Sequence, residues 1–450
     1  MKKIGLIIGY TLSISAYAEF NCHREDFPVL YQKKDNKQLA FLDSGATSQK
    51  PNQVIDTISD TYRYASANIH RGDYTLSLKA TRLYEKARIT VANFLNANTN
   101  EIVFTNGSTE GINFIASTWG EKFLQSGDEI VVTEMEHNSN LLPWAMLAQR
   151  KNLVLKLIEV TQEGYLDLES MVRLITPKTK LVSCLHTSNA IGTTNPIEKI
   201  IAAAHAVGAK VLIDGAQSVP YERIDVKALD MDFLVFSGHK MLAPTGIGVL
   251  YIKKDLIDSI PAYQWGGGMA DKVQLPFENT IYHPAPEGLE AGTPPIVQAI
   301  GLGAAIDYLT EKVFTQPIKE YLASLCARLI DGLEQIPVVD ILGPKEQLRR
   351  EGHAVAFNLK CIPAKYLAEY LDKNFNIAVR TSKHCAHLLA LRLNYPSSIR
   401  CSFYFYNTPE EVDRLLAGIQ SFVEERYDAI IEQEKINPTN CDSCTVREFA

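Results

Sequence analysis

Between about Leu39 and Leu309 the chain alternates short apolar runs with longer stretches of helical character. The runs EIVFT (101–105), EIVVTE (129–134), KLVSCL (180–185), KVLIDG (210–215), FLVFSG (233–238) and GVLYIK (248–253) read as strands, and stretches such as PIEKIIAAAHAVGA (196–209) read as helices between them. Strand and helix in regular alternation are the mark of βαβ units on a mostly parallel sheet, with right-handed crossovers stacking helices on its faces. After a long helical pattern at 296–313 the rhythm changes: AVAFNL, IAVRTS and IRCSFY are separated by helices at 363–373 and 408–431. The expected organisation is an α/β protein with an N-terminal segment (19–38) packing on a smaller domain, a large α/β/α domain (39–309), a small α+β C-terminal domain (310–432) and a loose tail (433–450).

The first residues break this pattern. MKKIGLIIGYTLSISAYAEF has a basic start, an apolar middle and Ala16-Tyr17-Ala18 before Glu19, the layout of a secretory signal with its cleavage site. Residues 1–18 are too short for a comfortable membrane span. The remaining composition is that of a globular enzyme: 450 residues, 46% hydrophobic, 22% charged and a net charge of -7. With no Lys/Arg stripe in an acidic chain, nucleic acid is not an expected partner. Eight cysteines are too sparse for a disulfide scaffold, so most are expected to be reduced. Cys184 and Cys401 lie in apolar strands as small hydrophobes. Cys441 and Cys444 form one CxxC in the tail, a weak metal or redox signal, and no metal site is expected.

Chemistry concentrates at the ends of strands. Asp214 in DGAQ and Lys240 in SGHK each lie just past an apolar strand, where open α/β sheets place their ligands. An amine that can condense with an aldehyde, and a carboxylate that can pair with a protonated pyridine nitrogen, suit pyridoxal phosphate. In FTNGSTEGINF a strand runs through Gly107, Ser108 and Thr109 into a helix whose free N–H groups can hold phosphate. His137 in EMEHNSN follows another strand and can stack on a pyridine ring; alone it would read as a structural hydrogen-bonder. Alternation in SIRCSFY puts Arg400 on the face opposite Ile399 and Cys401, leaving a guanidinium free to grip a carboxylate. In RTSKHCAHLL, Cys385 sits beside Lys383 and His384. A free thiol is only about 3% ionised at neutral pH, and two cationic neighbours would raise that fraction.

Several stretches in order then carry a resemblance: FLDSGATSQKP (41–51), ANIHRGDYTLS (67–77), GDEIVVTEMEHNSN (127–140), TSNAIGTTNPI (187–197), DGAQ (214–217), FSGHKMLAPTGIGVLY (236–251), EAGTP (290–294) and RTSKHCA (380–386). From about Phe27 to Glu425 the chain resembles the group II, SufS-type cysteine desulfurases of the class V aminotransferase superfamily, pyridoxal phosphate transferases of fold type I. The resemblance implies that Lys240 holds the cofactor, Asp214 pairs with its nitrogen, Gln217 bonds its ring oxygen and His137 stacks on it. Ser108, Thr109, Ser237 and His239 would hold its phosphate, with Thr293 reaching in from the second subunit of a homodimer. Asn189, Arg380 and Arg400 would bind the substrate, and Cys385, on a mobile arm, would take its sulfur. The implied activity turns L-cysteine into L-alanine and an enzyme persulfide, with action on selenocysteine also implied. The sulfur would go to a SufE-like or SufU-like protein for iron–sulfur cluster assembly.

The chain departs from the family where Ser382 and Lys383 stand for the usual glycine and histidine, Leu242 and Ala243 for tyrosine and glycine, and Trp265 for an acid. None removes a chemically required group. Other class V activities, such as transamination, do not need the Cys385 thiol, and a non-catalytic relative would not need Lys240. A persulfide must be passed on before it oxidises, which favours the cytoplasm despite the leader.

Overall fold

The computed structural model describes residues 20–433. The leader and the Cys441/Cys444 pair lie outside the described residues. Seven strands form the larger sheet, in the order 102–105, 248–252, 233–237, 210–214, 179–185, 129–133 and 154–158. The five strands from 233–237 to 154–158 pair in parallel, and Gly248–Ile252 is antiparallel to both of its neighbours. Central strands buried on both faces should be apolar throughout rather than alternating, and 210–214, 233–237 and 248–252 are buried along nearly their whole length.

The helix Ile197–Ala206 shows how the layers close. Ile197, Ile200, Ile201 and Ala204 are its buried residues, at the i, i+3, i+4, i+7 spacing that makes one apolar stripe. Each fully covered isoleucine stabilises the stack by about 1.5–3 kcal/mol. The helix ends where Ala209 N–H returns to Ala204 O, with Gly208 at φ 79.

The smaller sheet is antiparallel, in the order Val339–Leu342, Ala354–Leu359, Ser398–Ser402, Arg380–Ser382. The run IAVRTS does not continue as one strand. Ile377–Ala378 pairs in parallel with Ala40–Phe41, and Arg380–Ser382 turns to pair with Ser398–Ser402. Asp43 also bridges to Ser402, so the N-terminal segment is stitched to the small sheet as far as Asp43 before it crosses to the large one. Thr47 Oγ1, Ser48 N and Ser48 Oγ all donate to the His239 carbonyl on the far side. One segment thus ties both sheets together beside the Lys240 turn.

Cys22, Cys184, Cys326, Cys385 and Cys401 are free thiols and Cys361 is disulfide-bonded. Among the described residues no helix is long and apolar enough to cross a membrane.

Candidate active site

The C-terminal ends of four parallel strands, 233–237, 210–214, 179–185 and 129–133, meet the small sheet around one cavity of about 240 Å³. Its lining brings together Lys240, Asp214, Gln217, His137, Ser108, Thr109, Ser237 and His239 with Asn189, Arg380, Arg400 and Cys385. Thr293 is not among them; it is exposed in the turn before the helix Ile296–Tyr308.

Lys240 ends a short 3-10 turn at the foot of strand Phe233–Ser237. A Cβ on Gly238 would lie 2.9 Å from Ile247 Cγ2, so only glycine lets the turn pass that close. Leu242, two residues beyond the lysine, is left-handed at φ 67, an uncommon state for a side chain of its size, and its N–H is held by Ser48 Oγ at 2.8 Å. Burial holds the Lys240 amine below its ordinary range, against the opposing pull of the Asp214 carboxylate.

Asp214 is buried, and its side chain accepts the Ala216 N–H at 3.0 Å. Burial raises its carboxyl despite the nearby Lys240 ammonium. His137 is pushed down to about 4, first by burial and then by the Lys240, Arg380 and Arg400 cations. Its Nδ1 accepts the Ser139 N–H at 3.1 Å, so the neutral ring carries its proton on Nε2. Glu136, directly before it, is buried and raised to about 8 by that burial. It accepts from Thr133 Oγ1 (2.7 Å), Leu185 N (3.0 Å) and Asn140 Nδ2 (2.7 Å), which fixes the turn that carries His137.

The helix Ser108–Ile115 starts from Gly107 at φ 151, with Ser108 N–H on Ser237 Oγ at 2.9 Å and the two serine hydroxyls 2.8 Å apart. Thr109 Oγ1 lies 2.8 Å from Ser139 Oγ. Helix N–H groups and hydroxyls gathered this way make an anion cradle.

The site fits pyridoxal phosphate on three counts. A buried carboxylate faces the cavity without a hydrogen-bonded cation, as a pyridinium N–H requires. Beside it stands an amine depressed toward its nucleophilic form, and the hydroxyl-lined cradle matches a phosphate. Asn189 Oδ1, buried and without a hydrogen-bond partner, adds a polar atom aimed at what binds.

Three expectations need correction. The Arg400 guanidinium is not free: it is 2% exposed, Nη1 donates to Asn189 O at 2.6 Å, and Nη2 donates to Asp43 Oδ1 at 2.7 Å. Its buried Nε keeps no hydrogen-bond partner, so the guanidinium retains one unused donor. His384 is no activating cation beside Cys385. It is buried, its ring is pushed down to about 3 by burial and by the Arg400 charge, and it is therefore neutral at pH 7.

Nor is the thiol on a loose arm. Asn189 Nδ2 donates to His384 O at 2.6 Å and Asn138 N–H donates to Cys385 O at 2.7 Å, both across from the large sheet. Cys385 itself is exposed at the cavity rim.

Sequence reasoning assigned no role to Asp43, Asn138, Ser139 or Ser398. Asp43 lies within FLDSGATSQKP and Asn138 and Ser139 within EMEHNSN, so the motifs carried them. No local signal marked Ser398.

A lysine and an aspartate at neighbouring strand ends of such a sheet, over a hydroxyl-lined helix start, define a fold-type I transferase of the pyridoxal phosphate class. The profile of the family Aminotransferase class-V matches residues 40–415. A cysteine desulfurase of Enterobacter sp. (strain 638) is 46% identical over 398 residues, covering 88% of this chain and 96% of that protein. The apo structure of the cysteine desulfurase from Thermococcus onnurineus NA1 superposes with a TM-score of 0.84 at 36% identity, covering 89% of this chain and 97% of that one. The Escherichia coli cysteine desulfurase CsdA, in its S-sulfonic acid form, gives 0.81 at 33% identity over 90% and 99%. The chain belongs to the class V aminotransferase family, among its cysteine desulfurases.

Proposed function

We propose that this chain takes the sulfur of L-cysteine onto Cys385 as a persulfide, releases L-alanine, and hands the sulfur to a SufE-like or SufU-like acceptor for iron–sulfur cluster assembly. The observation that carries the reading is one cavity bounded by an amine, a carboxylate clamp and an exposed thiol: Lys240, Arg400 and Cys385.

The cofactor is pyridoxal phosphate, which when bound supplies an electron sink for bonds broken at the substrate's α-carbon. Lys240 Nζ would anchor it, Asp214 would face its ring nitrogen and Gln217 its ring oxygen. His137 would lie over the ring, with Ser108, Thr109, Ser237 and His239 at the phosphate. Gln217 is already oriented by donating Nε2 to Gly45 O at 2.7 Å.

Arg400, steadied by Asp43 and the Asn189 carbonyl, lines the cavity and holds the substrate carboxylate by its charge and its unused Nε donor, with Arg380 adding charge at the rim. Lys240 Nζ, weakened as an ammonium by burial, takes the Cα proton. The neutral His137 holds a proton on Nε2 at the same face. Cys385 Sγ attacks the substrate sulfur; an S–S bond forms as the C–S bond breaks, and the carbon side gains the electron pair and a proton to become alanine.

Two features support a homodimer. The segment 265–282 exposes Trp265, Val273, Leu275, Phe277, Ile281 and Tyr282 together, more apolar surface than a monomer usually leaves open. Thr293, in a turn a few residues further on, is exposed and so open to a second copy, as the family resemblance implies.

Handling a persulfide favours a reducing compartment and so the cytoplasm. The disulfide at Cys361 favours the other reading, export. A mature chain beginning at Glu19, seen by mass spectrometry, would establish export. The function itself is tested by incubation with L-cysteine: alanine and a persulfide on Cys385 should appear together, and Cys385→Ala should abolish both. Alanine formed at the wild-type rate by Cys385→Ala would end the proposal.

A further inference from the structure

Ser382 lies shortly before Cys385, and its backbone does not call for glycine. It closes the strand Arg380–Ser382 and is not among the residues with positive φ. Its hydroxyl accepts the His384 N–H at 2.8 Å and lies 3.2 Å from His384 Nδ1. The other ring nitrogen, Nε2, lies 2.9 Å from Ser398 Oγ. Ser382 and Ser398 are register partners on adjacent antiparallel strands, so the buried imidazole is pegged between two cross-strand hydroxyls.

The backbone that follows needs such a peg. His384 and Cys385 are both left-handed, at φ 52 and 56, a state that residues with a Cβ keep only when their surroundings hold them. Two consecutive residues in this state turn the chain sharply, and Ala386 N–H closes the turn on Lys383 O at 2.9 Å. The contacts from Asn189 and Asn138 reach the loop's carbonyls from the large sheet. From its own sheet the Ser382–His384–Ser398 set holds it, through a side chain adjacent to the thiol.

We infer that Ser382, His384 and Ser398 form a peg that holds the Cys385 loop in its left-handed turn and presents the thiol to the cavity, making Ser382 and His384 positioning residues. Lys383 is then free of any role in holding the turn by its side chain, and the serine at 382 adds a lock that glycine could not supply.

The inference rests on Cys385 being the sulfur acceptor, but its first readout does not. In the holoenzyme, amide hydrogen exchange over residues 383–386 should speed up about five- to tenfold in Ser382→Gly, the effect of losing one or two modest hydrogen bonds. Ser382→Thr, which keeps the hydroxyl, should stay within about twofold of wild type. Cofactor absorbance should be unchanged in both, and single-turnover persulfide formation should slow in Ser382→Gly. The pH dependence of Cys385 alkylation separates holding from charge. In His384→Asn, which tolerates the left-handed state, the midpoint should stay in place, whereas loss of an activating cation would move it up by about one unit. Unchanged exchange in both Ser382→Gly and His384→Asn, or a shifted midpoint in the latter, overturns the inference. If wild type formed no persulfide at all, the desulfurase reading would fail while the exchange result still judged the peg.

Discussion

The Lys240 turn and the Cys385 loop face each other across one cavity but are held in different ways. Lys240 follows a fully buried interior strand of the large sheet, paired in parallel on one side and antiparallel on the other, and its position is set by that main-chain pairing and a glycine beneath it. Cys385 follows an edge strand of the small sheet, and its turn is kept by a serine–histidine peg plus two bonds from the opposite body. Cofactor chemistry needs groups fixed relative to a ring. A thiol that, on the proposed function, meets a substrate and then an acceptor protein has to sit at the surface, where side-chain contacts replace a sheet interior.

The sharpest break in that comparison is Lys240→Ala. Without the amine, alanine formation should fall by at least about 10⁴-fold and the visible absorption band of the lysine-linked cofactor should be lost. Cys385→Ala should remove the other half: turnover of L-cysteine drops by about 10³-fold or more, while the cofactor band remains as in wild type. Retained turnover there would show that the loop is not the acceptor side.

Smaller effects sharpen the contrast. Asp43→Asn leaves Arg400 without its charged partner, and the KM for L-cysteine should rise about tenfold with kcat changed less than about threefold. A change confined to kcat would mean that Asp43 serves chemistry and not carboxylate binding. The mildest prediction concerns pH. Burial holds His384 and His353 down to about 3, from an ordinary 6.5. Between those values the unfolded chain binds more protons than the folded one, so stability is complete above pH 6.5 and is lost as pH falls toward 3. Each such buried ring can contribute up to about 1.4 kcal/mol per pH unit to that slope. Urea midpoints measured from pH 7 to 4.5 should fall less steeply in His384→Asn than in wild type.

Much of the large sheet was legible before any coordinates. Apolar runs buried on both faces read as parallel strands because nothing in them alternates, and the candidate groups lie at the ends of those runs or in the turns just after them. Asp214, Lys240, Ser108 and His137 could therefore be placed at one edge from their positions along the chain. The small sheet was less legible: IAVRTS looks like one strand, but its two halves pair with different partners, and hydrophobicity carries no register between them.

What the amino-acid order determined by itself was the set of reacting groups and the edge on which most of them stand, since strand ends in a parallel sheet converge by geometry alone. Only the tertiary structure decided their states. Whether His384 is a cation or a neutral peg depends on its burial between adjacent strands, and whether Arg400 is free or half-engaged by Asp43 and whether Cys385 swings or is held depend on partners hundreds of residues away. Charge and hydrogen bonding respond to distance in space, and local sequence does not encode that distance.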